Sequence, residues 1–142
     1  MGKEGNSAIS TRRLEKQELK QRQDITARAV RRVLSNKHDH WSSWITAAYI
    51  YGSTAMGEAR IDSDVDIAFI SQMKFLTVED SRSMRLLMSQ AIEKEMERLK
   101  LQHEFKIQPN FIYKDWLNNP LNASITFPEV VENVKKEGIK IF

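Results

Sequence analysis

Residues 49–70 read YIYGSTAMGEARIDSDVDIAFI. A short apolar run ends at Gly52-Ser53, ten residues intervene, and Asp64-Val65-Asp66 then opens a second apolar run. Side chains two apart on an extended strand share a face, so Asp64 and Asp66 project one way while Val65, Ile67 and Phe69 project the other. Two acids on one face of a buried strand call for a cation. Hard oxygen ligands suit Mg²⁺, which takes one or two protein carboxylates and completes its shell with water and substrate phosphates. Gly52, placed after a strand, lets backbone approach a phosphate closely, and Ser53 at the start of the next helix adds a hydroxyl to the free N–H groups there.

Gly52-Ser53 and Asp64-Val65-Asp66 at this spacing resemble the signature of the polymerase-beta-type nucleotidyltransferase superfamily, and the length of the chain resembles its minimal nucleotidyltransferase branch. Ser63 before the first Asp fits the same pattern, and the resemblance runs from about Ala47 to the C-terminus. It implies that Gly52 and Ser53 hold the β- and γ-phosphates of an NTP and that Asp64 and Asp66 are both catalytic residues and ligands of two Mg²⁺ ions. Relatives usually carry an Arg followed by Gly just after the Gly-Ser pair. Here Met56 precedes Gly57, so that phosphate contact falls to Arg60 or is absent.

A third carboxylate is sought on the next strand candidate, residues 104–113. Phe105, Ile107, Phe111 and Tyr113 read as one face, and Glu104, Lys106, Gln108 and Asn110 as the other. Glu104 is the acid on that polar face, whereas Gln108, before Pro109, stands where the resemblance most expects one. An amide neither ionises nor accepts a proton usefully. Four residues along a strand separate the two by roughly 13 Å, so they cannot serve one metal equally. Two readings stay open: Glu104 as the third catalytic carboxylate, or Glu104 as a solvated residue with Gln108 beside the bound nucleotide.

A chain of 142 residues, 41% hydrophobic and 29% charged, reads as one globular domain with no room for a second catalytic one. It has no cysteine, which excludes disulfides, thiolate metal sites and a cysteine nucleophile and makes a reducing cytoplasm the expected compartment. No apolar run reaches membrane-spanning length and no signal segment is visible at the start, so no membrane association is expected.

The net charge of +3 is uneven: residues 1–37 hold ten Lys or Arg against four acids, +6, leaving −3 for the rest. The reading is a basic N-terminal helical extension over 1–40 ahead of a nucleotidyltransferase domain over 41–142. Thr11 or Ser10 would cap a helix to about Leu34, with Ile25, Ala29, Val30, Val33 and Leu34 on one apolar stripe. The first half of that helix, with only Leu14 and Leu19, is expected to project or meet a partner. Its Lys and Arg could contact nucleic acid, or form a solvated face with pairs such as Glu18 with Arg22. His38-Asp39-His40 reads as a loop rather than a metal site, anchored by Trp41 and Trp44, and Asp62 as a turn residue.

Further on, Thr77 or Asp80 caps a helix to about Lys100 with Met84, Leu87, Met88, Ala91, Ile92, Met96 and Leu99 at helical spacing. A short helix over 129–136 ends at Gly138, and residues 139–142 form an apolar cap. These pieces predict an α/β (α+β) fold: a small mixed sheet of 47–51, 65–70 and 104–113, helices on one face, the carboxylates on the other. The resemblance implies a polymerase-beta-like nucleotidyltransferase fold and transfer of NMP, with ATP or another NTP as substrate, to a hydroxyl. Relatives of this size serve as antitoxins that modify a tyrosine of a small helical toxin, so the implied partners are the NTP and such a toxin, or a second copy in a homodimer. The alternative is a catalytically impaired module that acts by contact.

Overall fold

The β-branched and aromatic runs on either side of the Gly-Ser turn form the strands expected of them. β1 spans Ile45–Tyr51, β2 Val65–Ser71 and β3 Ile107–Tyr113, and a two-residue β4, Ile139–Lys140, completes a sheet ordered β3-β2-β1-β4. The computed structural model describes residues 12–36, 38–101 and 104–142. β1 runs antiparallel to β2 and to β4, while β2 and β3 are parallel. A parallel pair needs a long crossover, and the helix α3, Val78–Arg98, supplies it. Pro109, which cannot donate to a ladder, sits in β3, at the edge of the sheet where proline is tolerated. β4 was expected only as an apolar cap. The outer edge of β1 carries backbone groups in need of partners, and Ala48 meets that need by exchanging hydrogen bonds with Ile141 and Phe142 at 2.9 and 3.1 Å.

Ahead of the sheet, α1 spans Lys16–Ser35; α2, Ser53–Met56, follows β1, and α4, Pro128–Glu137, precedes β4. The main core lies between the sheet and the long helices α1 and α3. Val65, Ile67 and Phe69 of β2 meet Ala29, Val30, Val33 and Leu34 of α1 and Met88, Ile92 and Met96 of α3 there. Leu87, expected on the α3 stripe, is 52% exposed because the buried line runs 88, 92, 96 and leaves it at the margin. Trp41 and Trp44 do anchor their loop: Trp44 lies 5.4 Å from Phe111, centroid to centroid.

The carboxylate face is not bare along its length. Ala68, Ile70 and Ile112 point there too, and apolar side chains that far along a strand require cover. Trp116 and Val131 and Val134 of α4 provide it as a second, smaller core. Tyr113, expected beside Phe111, instead packs against Trp116 with ring centroids 5.9 Å apart, since β3 ends there and a 3-10 turn begins. At the end of this face Asp64 and Gln108 are exposed and Asp66 is half-buried.

The N-terminal helix departs furthest from expectation. It starts at Lys16, where Glu18 accepts the Glu15 N–H at 2.9 Å; Ser10 and Thr11, the expected caps, lie outside the described residues. Its first half does not project. Arg22 is 6% exposed, and residues 12–14 pair with the chain around Arg60 through Leu14 N–H to Ala59 O and Ile61 N–H to Arg12 O. Glu18 pairs with Arg12 at 2.9 Å rather than with Arg22. α1 supplies one wall of the main core. Among the described residues, no helix is long and apolar enough to cross a membrane.

Candidate active site

The Gly-Ser turn is built around one backbone conformation. Gly52 has φ 71° and ψ −153°, a region essentially reserved for glycine, and it caps the start of α2. The N–H groups of Ala55 and Met56 both donate to its carbonyl, at 3.1 and 3.0 Å, and Gly57 closes the turn at φ 78°. The first N–H groups of any helix lack an intrahelical acceptor, so Ser53 and Thr54 present backbone donors of the kind that hold anions. A Cβ on Gly52 would lie 2.5 Å from Asp66 Oδ2. The turn and the carboxylate are therefore in direct contact, which the ten intervening residues did not by themselves require.

Strand register brings the remaining groups onto one rung. Tyr51 pairs with Asp66, and Asp66 with Gln108. Asp64 is exposed and Asp66 half-buried. Burial, and then the negative charge of Asp64, push the Asp66 carboxyl up to about 6. Tyr51 is 5% exposed, and its hydroxyl accepts a hydrogen bond of 2.6 Å from Asn110 Nδ2. Burial foremost raises that phenol to about 12, so it remains protonated. Tyr51, Asn110 and Arg85, whose charge acts on Tyr51 and whose buried Nε has no partner among the described residues, were not read from the sequence as site residues. Tyr51 immediately precedes Gly52, which was the available signal.

Arg60 to Ser63 forms the turn that delivers the chain into β2. Ser63 N–H donates to Arg60 O at 3.0 Å, and Arg60 N–H to Ser63 Oγ at 2.9 Å, so the serine that precedes Asp64 closes this turn and Asp62 lies within it as expected. The Arg60 side chain is exposed. Glu104 is not brought to the rung. It lines a separate groove with Arg12, Glu18, Arg22 and Phe105, and its charge acts on Arg22, while Gln108 faces Asp66. His38 and His40 are exposed, and among the described residues no three His, Cys, Asp or Glu form a metal-holding group.

Two carboxylates side by side, one of them raised in pKa by burial and then by the charge of the other, could hold a divalent cation that draws its further ligands from phosphates and water. The contact between Gly52 and Asp66 leaves no side chain between the Gly-Ser turn and this carboxylate. Fold and site together define a domain of the nucleotidyltransferase class. The chain belongs to the polymerase beta nucleotidyltransferase family: the family model described as "Polymerase beta, Nucleotidyltransferase" matches residues 32–142. A comparison with curated proteins returned no match.

Proposed function

We propose that the protein transfers NMP from an NTP, with ATP the first to test, to a hydroxyl of a protein, RNA or small-molecule acceptor. The observation that carries this reading is the contact of the Gly52 turn with Asp66, which sets donors for a triphosphate against ligands for its cation. The Gly52–Ser53 turn binds the phosphates through the backbone N–H groups of Ser53 and Thr54; Asp64 and Asp66 hold Mg²⁺. When bound, a pair of such ions supplies charge neutralisation and alignment of the entering and leaving oxygens. The acceptor oxygen bonds to the α-phosphorus as the bond to pyrophosphate breaks and pyrophosphate leaves, and the hydroxyl proton passes to water. Small relatives that modify a tyrosine of a helical toxin make a protein hydroxyl the first acceptor to test.

Mg-ATP at ten times its Kd should stabilise the chain by about 1.4 kcal/mol, raising its melting temperature, and the Asp64→Asn, Asp66→Asn double variant should lose that shift. Label from α-labelled ATP on a co-purified protein or on RNA, absent in Asp64→Asn, supports transfer. No thermal shift with any NTP at millimolar concentration would remove the nucleotide site.

Gln108 opposite Asp66 favours one second reading, a module that binds Mg-NTP and acts by contact. Gln108→Asp puts a proton acceptor on the rung and should raise transfer by about 10²-fold. Glu104→Gln, in its separate groove, should change transfer less than about threefold, far below the ~10²-fold or greater loss of a general base. A loss of that size on Glu104→Gln would return Glu104 to the role of third carboxylate. If wild type and Gln108→Asp both stay inactive with the native partner present, the contact module replaces the enzyme.

A further inference from the structure

Arg22 stands outside the residues that the family model matches, yet it is 6% exposed and its guanidinium is committed to the loop that ends at Asp64. Its Nη1 donates to Ser63 O at 2.8 Å and to Arg60 O at 3.3 Å, and its Nη2 to Ile61 O at 3.1 Å. The guanidinium carbon lies 4.8 Å from the centroid of the Phe105 ring. No carboxylate of a described residue pairs with Arg22 at salt-bridge distance; Glu18 and Glu104 act on it only at longer range. A cation withdrawn from water must be compensated, and here the compensation is three carbonyls of a single turn. The next residue on α1, Gln23, donates through Nε2 to Thr54 O at 2.9 Å, and Thr54 belongs to the Gly-Ser turn.

One turn of α1 therefore grips both limbs of the site. We propose that Arg22 is a positioning residue for Asp64 and Gln23 for the Gly52–Ser53 turn, so that α1 acts as a brace holding the phosphate limb and the cation limb in register. For the nucleotide this rests on the reading given under Proposed function. The planar fork of a guanidinium reaches the carbonyls of residues 60, 61 and 63 together, whereas an ammonium offers its donors from one atom and cannot span them. Arg22→Lys thus keeps the charge and releases the turn.

Two measurements on the full chain test the brace. The first uses no ligand: in Arg22→Lys, amide hydrogen exchange at Arg60, Ile61 and Ser63 should accelerate at least tenfold while β3 keeps its protection. Unchanged exchange at these three amides overturns the proposal, whatever the protein binds. The second is titration with ATP, with and without Mg²⁺. Arg22→Lys should cut the Mg²⁺-dependent gain in ATP affinity at least tenfold and leave metal-free ATP affinity as in wild type. Gln23→Ala, at a half-buried position, should do the reverse and covers the case in which Arg22→Lys does not fold. Both affinities falling together with the melting temperature would show a merely structural residue and overturn the proposal. If wild type binds no ATP with or without Mg²⁺, the nucleotide reading fails, and the exchange measurement still decides the brace.

Discussion

Asp66→Asn should lower nucleotide transfer by roughly 10²–10³-fold and at the same time make the metal-free protein harder to melt. On the proposed function the loss follows from removing a ligand and a full negative charge where the cation and phosphates would meet; removal of a single electrostatic contributor of this kind lowers turnover by roughly 10²–10³-fold. The gain follows from linkage. The Asp66 carboxyl sits at about 6 in the fold, above its ordinary 3.8, because burial and the Asp64 charge disfavour ionisation. Its favourable contribution is complete below about pH 4 and is lost as pH rises through about 6, so at neutral pH wild type carries the whole penalty of an ionised Asp66. Asparagine carries none. Discounted for the solvent that reaches a half-buried side chain, the difference is roughly 1–2 kcal/mol, or about 3–6 °C in melting temperature at pH 7.5. Thermal melts of both proteins from pH 4 to 8, without divalent cations, check it: the curves should converge towards pH 4 and separate above 6. A variant less stable than wild type at pH 7.5 would mean that Asp66 is a structural partner of a buried cation.

Gly52→Ala should remove nucleotide binding through backbone geometry. At φ 71° and ψ −153° an L-residue is strained by about 1–3 kcal/mol, and its methyl would arrive 2.5 Å from Asp66 Oδ2. Either the Asp66 carboxylate rotates away or the turn unwinds, and both outcomes separate the groups that the proposed function assigns to the phosphates and to the cation. The expected result is a fall in melting temperature of several degrees and a loss of the Mg-ATP shift, read by calorimetry and titration. Gly57→Ala is the comparison: it suffers a milder backbone strain, in the left-handed region at φ 78° and ψ 16°, and among the described residues its Cβ meets a Leu19 methyl at an ordinary 3.8 Å. It should lose stability while keeping most of the Mg-ATP shift. Equal loss of binding in both variants would show that turn strain, not the contact with Asp66, governs the site.

Much of this site was legible along the chain because short-range periodicity governs it. Alternation at Asp64, Val65 and Asp66 settles which side chains share a face, whatever the strand pairs with, and a glycine between a strand and a helix start marks a turn with little other use. The apolar stripes at Ala29, Val30, Val33 and Leu34, and at Met88, Ile92 and Met96, likewise followed from helical spacing, and both proved to be core. Leu87 shows the limit of that reading, since spacing gives the direction of a stripe and not its width.

What the sequence by itself determined is local: two strands around a Gly-Ser turn, carboxylates on one face of the second, and long amphipathic helices to cover the other. The resemblance pointed to Gln108 at the position beside the paired acids and left the role of Glu104 open; the tertiary structure pairs Gln108 with Asp66 through the register of β3 on β2 and leaves Glu104 in another groove, a placement that alternation along one strand does not encode. The tertiary structure alone turned Arg22 inward. A guanidinium on a basic helix reads as solvated until three carbonyls from a turn some forty residues away converge on it, and that convergence is a property of packing, which no spacing along one element encodes.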